Sequence, residues 1–298
     1  MPLLAQPDPF IFRAREGGYY LYTTGAHIFY SRELIGTWQY QGDFLDGPEK
    51  ERCWGPCILE EGGMYYLYYS NTELENTDDH NQAIRIAVAE HPLGPFVSKG
   101  MLLPPFSIDP HVVRTAGGLF IFYCNNDYSS ERVGTVVMCD RMLDPLTVEG
   151  KPVRMIKPTM DEEVFQKNRF KEGEHWHTVE GACYFHVGRT HFLMYSGACY
   201  QNPTYFIGYC VAHGAEDADL RELKWRKYPD DSTYAPLLKE NSFVEGMGHN
   251  SVIEENGNFY IVYHGRDKGK MTAGVDTRSA RIDRLYIDGD RLEVRVTK

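Results

Sequence analysis

Five copies of one short pattern run through the chain, and each copy starts at a residue able to do chemistry. The copies read DPFIFRAREGGYYLYTT from Asp8, WGPCILEEGGMYYLYYS from Trp54, DPHVVRTAGGLFIFYCN from Asp109, EGACYFHVGRTHFLMYS from Glu180 and HNSVIEENGNFYIVYH from His249. Each has a polar or aromatic lead residue, a short apolar run, a glycine turn and an aromatic-rich run. The turn glycines Gly18, Gly63, Gly118, Gly188 and Gly257 follow their lead residues by 8 to 10 positions. Short runs rich in Tyr, Phe, Ile and Val around such a turn read as a β-hairpin.

Successive turn glycines lie 45, 55, 70 and 69 residues apart, a spacing that indicates a repeat architecture. Over 298 residues, five units have roughly 60 residues each, enough for four strands and their loops. Further strands are legible between the hairpins, from Ala83, Gly134, Tyr205 and Ala280, with a last one, RLEVRV, after Asp288-Gly289-Asp290. The best helix candidate is the ten-residue stretch from Asp161. The expected fold is all-β, a five-bladed β-propeller occupying residues 1–298 as one domain. The first strand of each blade then lines the axial channel, and the lead residues meet at one mouth. A β-sandwich would accommodate five hairpins but gives the lead residues no reason to match. The chain starts almost directly at the first lead strand, so no N-terminal segment is expected to complete the last blade.

Charge narrows the partners. There are 31 Lys and Arg against 42 Asp and Glu, a net charge of −11, with no basic run. Nucleic acid and acidic polymers are disfavoured, and a neutral substrate is compatible. The acidic loop holding Glu73, Glu75, Asp78 and Asp79 reads as a solvated blade connection. No stretch approaches a membrane span, so no membrane partner is expected. The seven cysteines are odd in number and fall largely inside expected strands, which suits buried thiols rather than a disulfide framework. With no charged, apolar leader at the start, the expectation is cytoplasmic. Nothing in the pattern specifies an oligomeric state.

Three lead residues, Asp8, Asp109 and Glu180, are carboxylic acids. Glycoside hydrolysis needs one carboxylic acid to protonate the leaving oxygen and one carboxylate on the other face of the sugar. A third carboxylate beside the acid raises its pKa and keeps its proton available near neutral pH. An Asp-Pro pair alone is an ordinary turn, and Glu180 alone is an edge-strand charge. Their shared repeat position gives the catalytic reading its force. Trp54, also a lead residue, can stack on a sugar, as can Trp176, whereas most tyrosines are core.

The motifs PDPFIF, SIDPHV and VEGACY, in that order, resemble glycoside hydrolase family 43, five-bladed propellers that hydrolyse with inversion. The resemblance implies Asp8 as general base, Asp109 as pKa modulator and orienter, and Glu180 as general acid. It extends over nearly the whole chain. WGP at Trp54 is similar to a Trp-Ala-Pro that walls the sugar pocket, and YSGACYQNPTYFIGY is similar to the segment after the acid. GHNSV at Gly248 matches a Gly-His motif near the channel, and TRSARIDRL matches a final strand whose Arg contacts substrate, Arg278 aligning best. Two positions depart: Cys57 stands where an acid is usual, and Glu-Gly-Ala replaces Glu-Gly-Pro. The implied activity is exo-acting release of terminal pentoses from short oligosaccharides or glycosides, as an α-L-arabinofuranosidase first and a β-xylosidase second.

No cofactor is expected to be required. The resemblance admits a structural calcium ion near His249, held through water, but a single lead histidine supplies a metal poorly. His175 and His177, two apart, lack a third ligand. The connection from Asp161 to Thr178 is expected to shape the pocket rim. Two other readings remain. A retaining β-fructosidase would carry Asn-Asp-Pro-Asn and Arg-Asp-Pro, where this chain has Gln6-Pro7-Asp8 and Ser107-Ile108-Asp109. A carbohydrate-binding propeller without activity does not call for three acids in units one, three and four.

Overall fold

In the aromatic runs both faces of each strand are apolar, and alternate residues serve different interfaces. Tyr20 and Tyr22 pack with Ile58, Tyr65, Leu67 and Tyr69 of the next unit. Tyr19 and Leu21, one residue out of phase, pack with Val262 and Ile282 of the last unit. The same division repeats between units two and three, three and four, and four and five. Each interface is a buried apolar cluster. Phe120, Phe122, Leu193 and Phe206, for example, are almost completely buried between units three and four, and truncating one such Phe to Ala costs about 3–5 kcal/mol.

The computed structural model describes residues 2–72, 78–272 and 275–298. It forms a five-bladed β-propeller. The innermost strands are Phe10–Arg13, Trp54–Glu61, Ile108–Thr115, Trp176–Val187 and Val244–Glu255. They contact one another in that order, and the fifth returns to the first. Each pairs antiparallel with the second strand of its hairpin: Tyr19–Thr23, Met64–Asn71, Gly118–Asp127, Thr190–Gly197 and Asn258–Asp267. The third strands are His27–Ser31, Ala83–Ala89, Gly134–Asp144, Phe206–His213 and Ser279–Asp288. All four inter-hairpin strands anticipated from sequence are among them.

Two expectations fail. Residues from Asp161 form a short 3-10 turn, Asp161–Glu163, then a strand, Val164–Gln166, that pairs with Trp176 and His177. The buried Glu163 carboxylate accepts the N–H groups of Thr159 and Met160, and it is paired with Lys227 at 2.5 Å. Those bonds tie down the turn and stop it from propagating as a helix. The N-terminal residues also act differently from expectation. Pro2–Leu4 is a strand on the outer edge of Ser279–Asp288, sharing that edge with Arg291–Val294. Leu3 and Leu4 pack against the cluster of Leu21, Val262 and Ile282. Both chain ends therefore complete the fifth blade.

Candidate active site

At the channel mouth the five inner strands share a left-handed residue. Its φ is 52° at Asp8, 50° at Gly55, 55° at Asp109, 60° at Gly181 and 44° at His249. In four of the blades the ladder skips here: pairing jumps from Trp54 to Cys57, Ile108 to His111, Glu180 to Cys183 and Gly248 to Ser251. The repeat is thus aligned one residue differently from the sequence expectation in blades two and four. Asp8, Gly55, Asp109, Gly181 and His249 are equivalent, and Trp54 and Glu180 precede that position by one. Asp and His are among the few non-glycine residues that tolerate this conformation. At Gly55 a Cβ would lie 2.7 Å from Asp109 Oδ1 and 3.0 Å from His249 Cε1, so glycine also leaves room for its neighbours.

Each left-handed residue is held by the blade before it. The Gly55 N–H donates to Thr24 Oγ1, that of Asp109 to Ser70 Oγ and that of His249 to Ser196 Oγ, at 3.1, 2.9 and 2.7 Å. The Gly181 backbone bonds to the Cys124 sulfur. His264 Nδ1 occupies the corresponding place for Asp8, 3.3 Å from its amide nitrogen. Four of these five holders directly follow a tyrosine at the end of the second strand, in Tyr69-Ser70, Tyr123-Cys124, Tyr195-Ser196 and Tyr263-His264. Blade one uses Thr24, one step later.

Asp8, Asp109, Glu180, Trp54, His249 and Arg278 line one cavity of about 160 Å³ with Thr24, Ile108, Tyr200 and Tyr205. Of the residues expected from sequence to act on or contact the sugar, all but Trp176 lie there. A second cavity of about 480 Å³ shares Trp54, Ile108, Glu180 and Tyr200 with it and continues past Asn126, Phe165, Arg169 and Trp176. Glu180 therefore stands at the junction, while Asp8 and Asp109 face only the inner chamber.

The environment of Asp8 is opposite to that of Asp109 and Glu180. Burial alone would raise the pKa of Asp8, but Arg278, His249 and His264 outweigh it and hold Asp8 well below the usual carboxylate range. Arg278 Nη1 lies 3.1 Å from Asp8 Oδ1 and His264 Nδ1 3.0 Å from it, while Thr24 donates to Oδ2 at 2.6 Å. Arg278 is itself fixed by Asp276 and lies over the Tyr200 ring, 4.6 Å from its centre. Glu180 is pushed up to about 8, first by burial and then by the negative charge of Asp109. Asp109 is also raised, by burial foremost, although His249 opposes this and the Gly181 N–H donates to its Oδ2 at 3.2 Å.

His249 Nδ1 lies 3.6 Å from Asp8 Oδ1 and 3.9 Å from Asp109 Oδ2. Among the described residues no three His, Cys, Asp or Glu side chains converge as metal ligands. Asp8 already spends its oxygens on Arg278 and Thr24, so His249 would bring an ion one nitrogen and little else. His175 and His177 do not act together: His177 faces Arg132, whereas His175 accepts the N–H of Asn168. Cys57, at the position of the usual acid, is buried, and its sulfur accepts the Val112 N–H.

The 161–178 connection lines the outer cavity through Phe165, Gln166, Arg169, Trp176 and Thr178. Trp176 is mostly covered, with the Arg169 guanidinium 4.6 Å from its ring centre. Asp78 and Asp79 also border this cavity, whereas Glu73 and Glu75 lie outside the described residues. Sequence reasoning missed Thr24, Tyr200, Tyr205, His264 and Asp276. His264 was signalled by its place after the last strand tyrosine, and the two tyrosines lie in the segment that follows the acid. Asp276 carried no signal.

Comparison with known proteins settles the family, for the model of "Glycosyl hydrolases family 43" matches residues 2–291. The chain belongs to family 43 of the glycosyl hydrolases. Over 315 aligned residues it is 24% identical to an extracellular exo-alpha-(1->5)-L-arabinofuranosidase of Streptomyces avermitilis, covering 95% of this chain and 60% of that protein. A probable arabinan endo-1,5-alpha-L-arabinosidase B of Aspergillus oryzae is 34% identical over 93 residues, 28% of this chain and 25% of that one. The chain thus spans less than two thirds of the length of these curated relatives. Among solved structures, a thermostable family-43 glycoside hydrolase superimposes with a TM-score of 0.80 and 26% identity, covering 98% of this chain and 93% of the other. The alpha-L-arabinofuranosidase of Lactobacillus brevis gives a TM-score of 0.78 at 21% identity, with coverage of 97% and 93%.

Proposed function

We propose that this family 43 chain is an inverting, exo-acting glycosidase that removes terminal pentoses from oligosaccharides, α-L-arabinofuranosyl units first and β-xylosyl units second. One observation carries the reading. The only one of the three carboxyls that borders both chambers, Glu180, is also the one pushed up to about 8. A general acid must reach the oxygen joining the departing chain to the terminal sugar, and it must hold a proton near neutral pH. Asp8, kept ionised inside the inner chamber, suits a base that activates water on the opposite face. Two carboxyls whose surroundings drive their pKa values apart are an acid and a base assigned by environment. Asp109 raises the pKa of Glu180 by its charge.

The inner chamber is small beside the usual ligand site of roughly 300–1,000 Å³, which favours one terminal sugar over an internal stretch of polymer. Trp54 supplies an apolar wall, and the outer cavity has room for the leaving chain. The exo-acting Streptomyces relative supports arabinofuranosyl as the first sugar. No step is assigned to a metal ion, and none is expected to be required. The seven buried, unpaired cysteines support a reducing compartment such as the cytoplasm.

A panel of aryl arabinofuranoside, xyloside, galactoside and fructoside tests the substrate. Proton NMR of the first-formed sugar tests the stereochemistry, with inversion expected, as for carboxyls roughly 6.5–9.5 Å apart. A retained anomer, or cleavage of fructosides alone, would reject the assignment in favour of a fructosidase-like enzyme. Tight sugar binding without turnover would point to a binding protein.

A further inference from the structure

Tyr205 is not among the residues proposed to do the chemistry, yet it touches both sides of it. Its hydroxyl donates to Glu180 Oε1 at 2.8 Å. Its ring stacks on His264, the neighbour of Asp8, with 5.7 Å between centres and planes 8° apart. On another side it abuts Gly248, where an added Cβ would lie 1.8 Å from Tyr205 Cε1. The side chain is almost completely buried. It has no alternative place to go, so its hydroxyl is a fixed donor.

A chain of hydrogen bonds leads back from that donor. The His249 N–H donates to Ser196 Oγ at 2.7 Å, and an amide N–H can only donate. The Tyr205 hydroxyl has a single hydrogen and gives it to Glu180, so in its bond with Ser196 it is the acceptor. The chain therefore runs one way: backbone amide, serine hydroxyl, tyrosine hydroxyl, carboxyl.

We infer that Tyr205 is a positioning residue for the acid: oriented by Ser196, it occupies Oε1 of Glu180 as an acceptor and thereby confines the transferable proton to Oε2. This rests on Glu180 being the general acid. A neutral carboxyl has two places for its hydrogen, and a donor fixed at one oxygen leaves the other as the place for it. The leaving oxygen then always meets the same lobe of the acid, and proton transfer needs no rotation of the carboxyl. The same bond stabilises the ionised form of Glu180 and counteracts the upward push of burial.

Tyr205→Phe keeps the stack and the packing and removes only the donor. Its kcat on natural oligosaccharides should fall about 10–100-fold, the range for a misplaced acid, with KM little changed. On an aryl glycoside with a low-pKa phenol, which needs no protonation, the loss should be only a few-fold. The alkaline limb of the kcat profile should move to higher pH. Ser196→Ala, which leaves the ring in place, should move it the same way by less. If Tyr205→Phe lowers both substrates equally and the limb stays put, Tyr205 is only structural and the inference is overturned. Glu180→Gln run beside it separates the two levels: if that variant also spares no substrate, the assignment of the acid itself fails and takes this inference with it.

Discussion

Asp109→Asn isolates one electrostatic effect in the site. Glu180 is pushed up from its ordinary 4.5 to about 8. Burial is the largest cause, and the Asp109 charge the next. An asparagine at this site can still accept the Gly181 N–H, so the backbone arrangement is kept while the charge goes. Losing a nearby negative charge lets Glu180 ionise more easily, so its pKa must fall, by on the order of one unit. Only protonated Glu180 can act as the acid. At pH 7 the protonated fraction drops from about nine-tenths to about half, and at pH 8 from about half to about a tenth. The variant's deficit should therefore grow from about twofold at pH 7 to about fivefold at pH 8, beyond any pH-independent loss. The assay is kcat against pH on an unactivated oligosaccharide, since kcat reports the bound complex. A uniform loss with the alkaline limb unmoved, or a limb displaced upward, would refute the charge-coupling argument.

Glu180→Gln should stabilise the protein in alkali. The native state holds this proton longer than the unfolded chain does, so wild-type stability declines as pH rises from about 4.5 to about 8. Glutamine has no such loss, and because the carboxyl is only partly buried the advantage above pH 8 should be about 2–4 kcal/mol, read as a melting-temperature gap that closes near pH 4. Gly248→Ala puts a methyl into the Tyr205 ring; overpacking of this kind costs about 1–3 kcal/mol, and kcat should fall with KM nearly constant. Deleting residues 1–5 removes the strand on Ser279–Asp288. It should cost about 1–3 kcal/mol and speed amide exchange at residues 280–282, and an unchanged melting temperature would show that the N-terminal strand contributes nothing. Exhaustive chelation should leave activity nearly unchanged; a large loss restored by calcium would place an ion at His249.

The aromatic hairpins were legible because the glycine turn and the residue types of a buried strand are both local signals. The three acids, Trp54 and His249 were legible because they recur within one residue of the same place in a repeat. Their alignment was off by one residue in two blades because a backbone bulge adds a residue without leaving a mark on hydrophobic alternation. The prolines did mark it: Pro9, Pro56 and Pro110 follow Asp8, Gly55 and Asp109, which puts Gly55, not Trp54, in step with the acids. The stretch after Asp161 has helix-forming composition but was overridden by Lys227, 64 residues from its partner Glu163, and by strand pairing. Asp276 clamps Arg278 two residues on, a contact that depends on where the loop is carried and not on its composition. The N-terminal strand escaped notice because three residues are too few for periodicity to register.

The clamps on the left-handed residues give the molecule an unusual division of labour. Each blade carries a residue of the site but not the group that holds it; that group belongs to its predecessor. Ser70 serves Asp109, Ser196 serves His249, and His264, near the end of the chain, serves Asp8 at its beginning. The natural unit of inheritance is then the seam and not the blade. A blade moved alone into another propeller arrives with its acid and without its clamp, and it leaves behind a clamp with nothing to hold. Exchange between propellers should preserve a working site only when the cut passes through the middle of a blade, between its first and second strands, so that second strand and following first strand travel together.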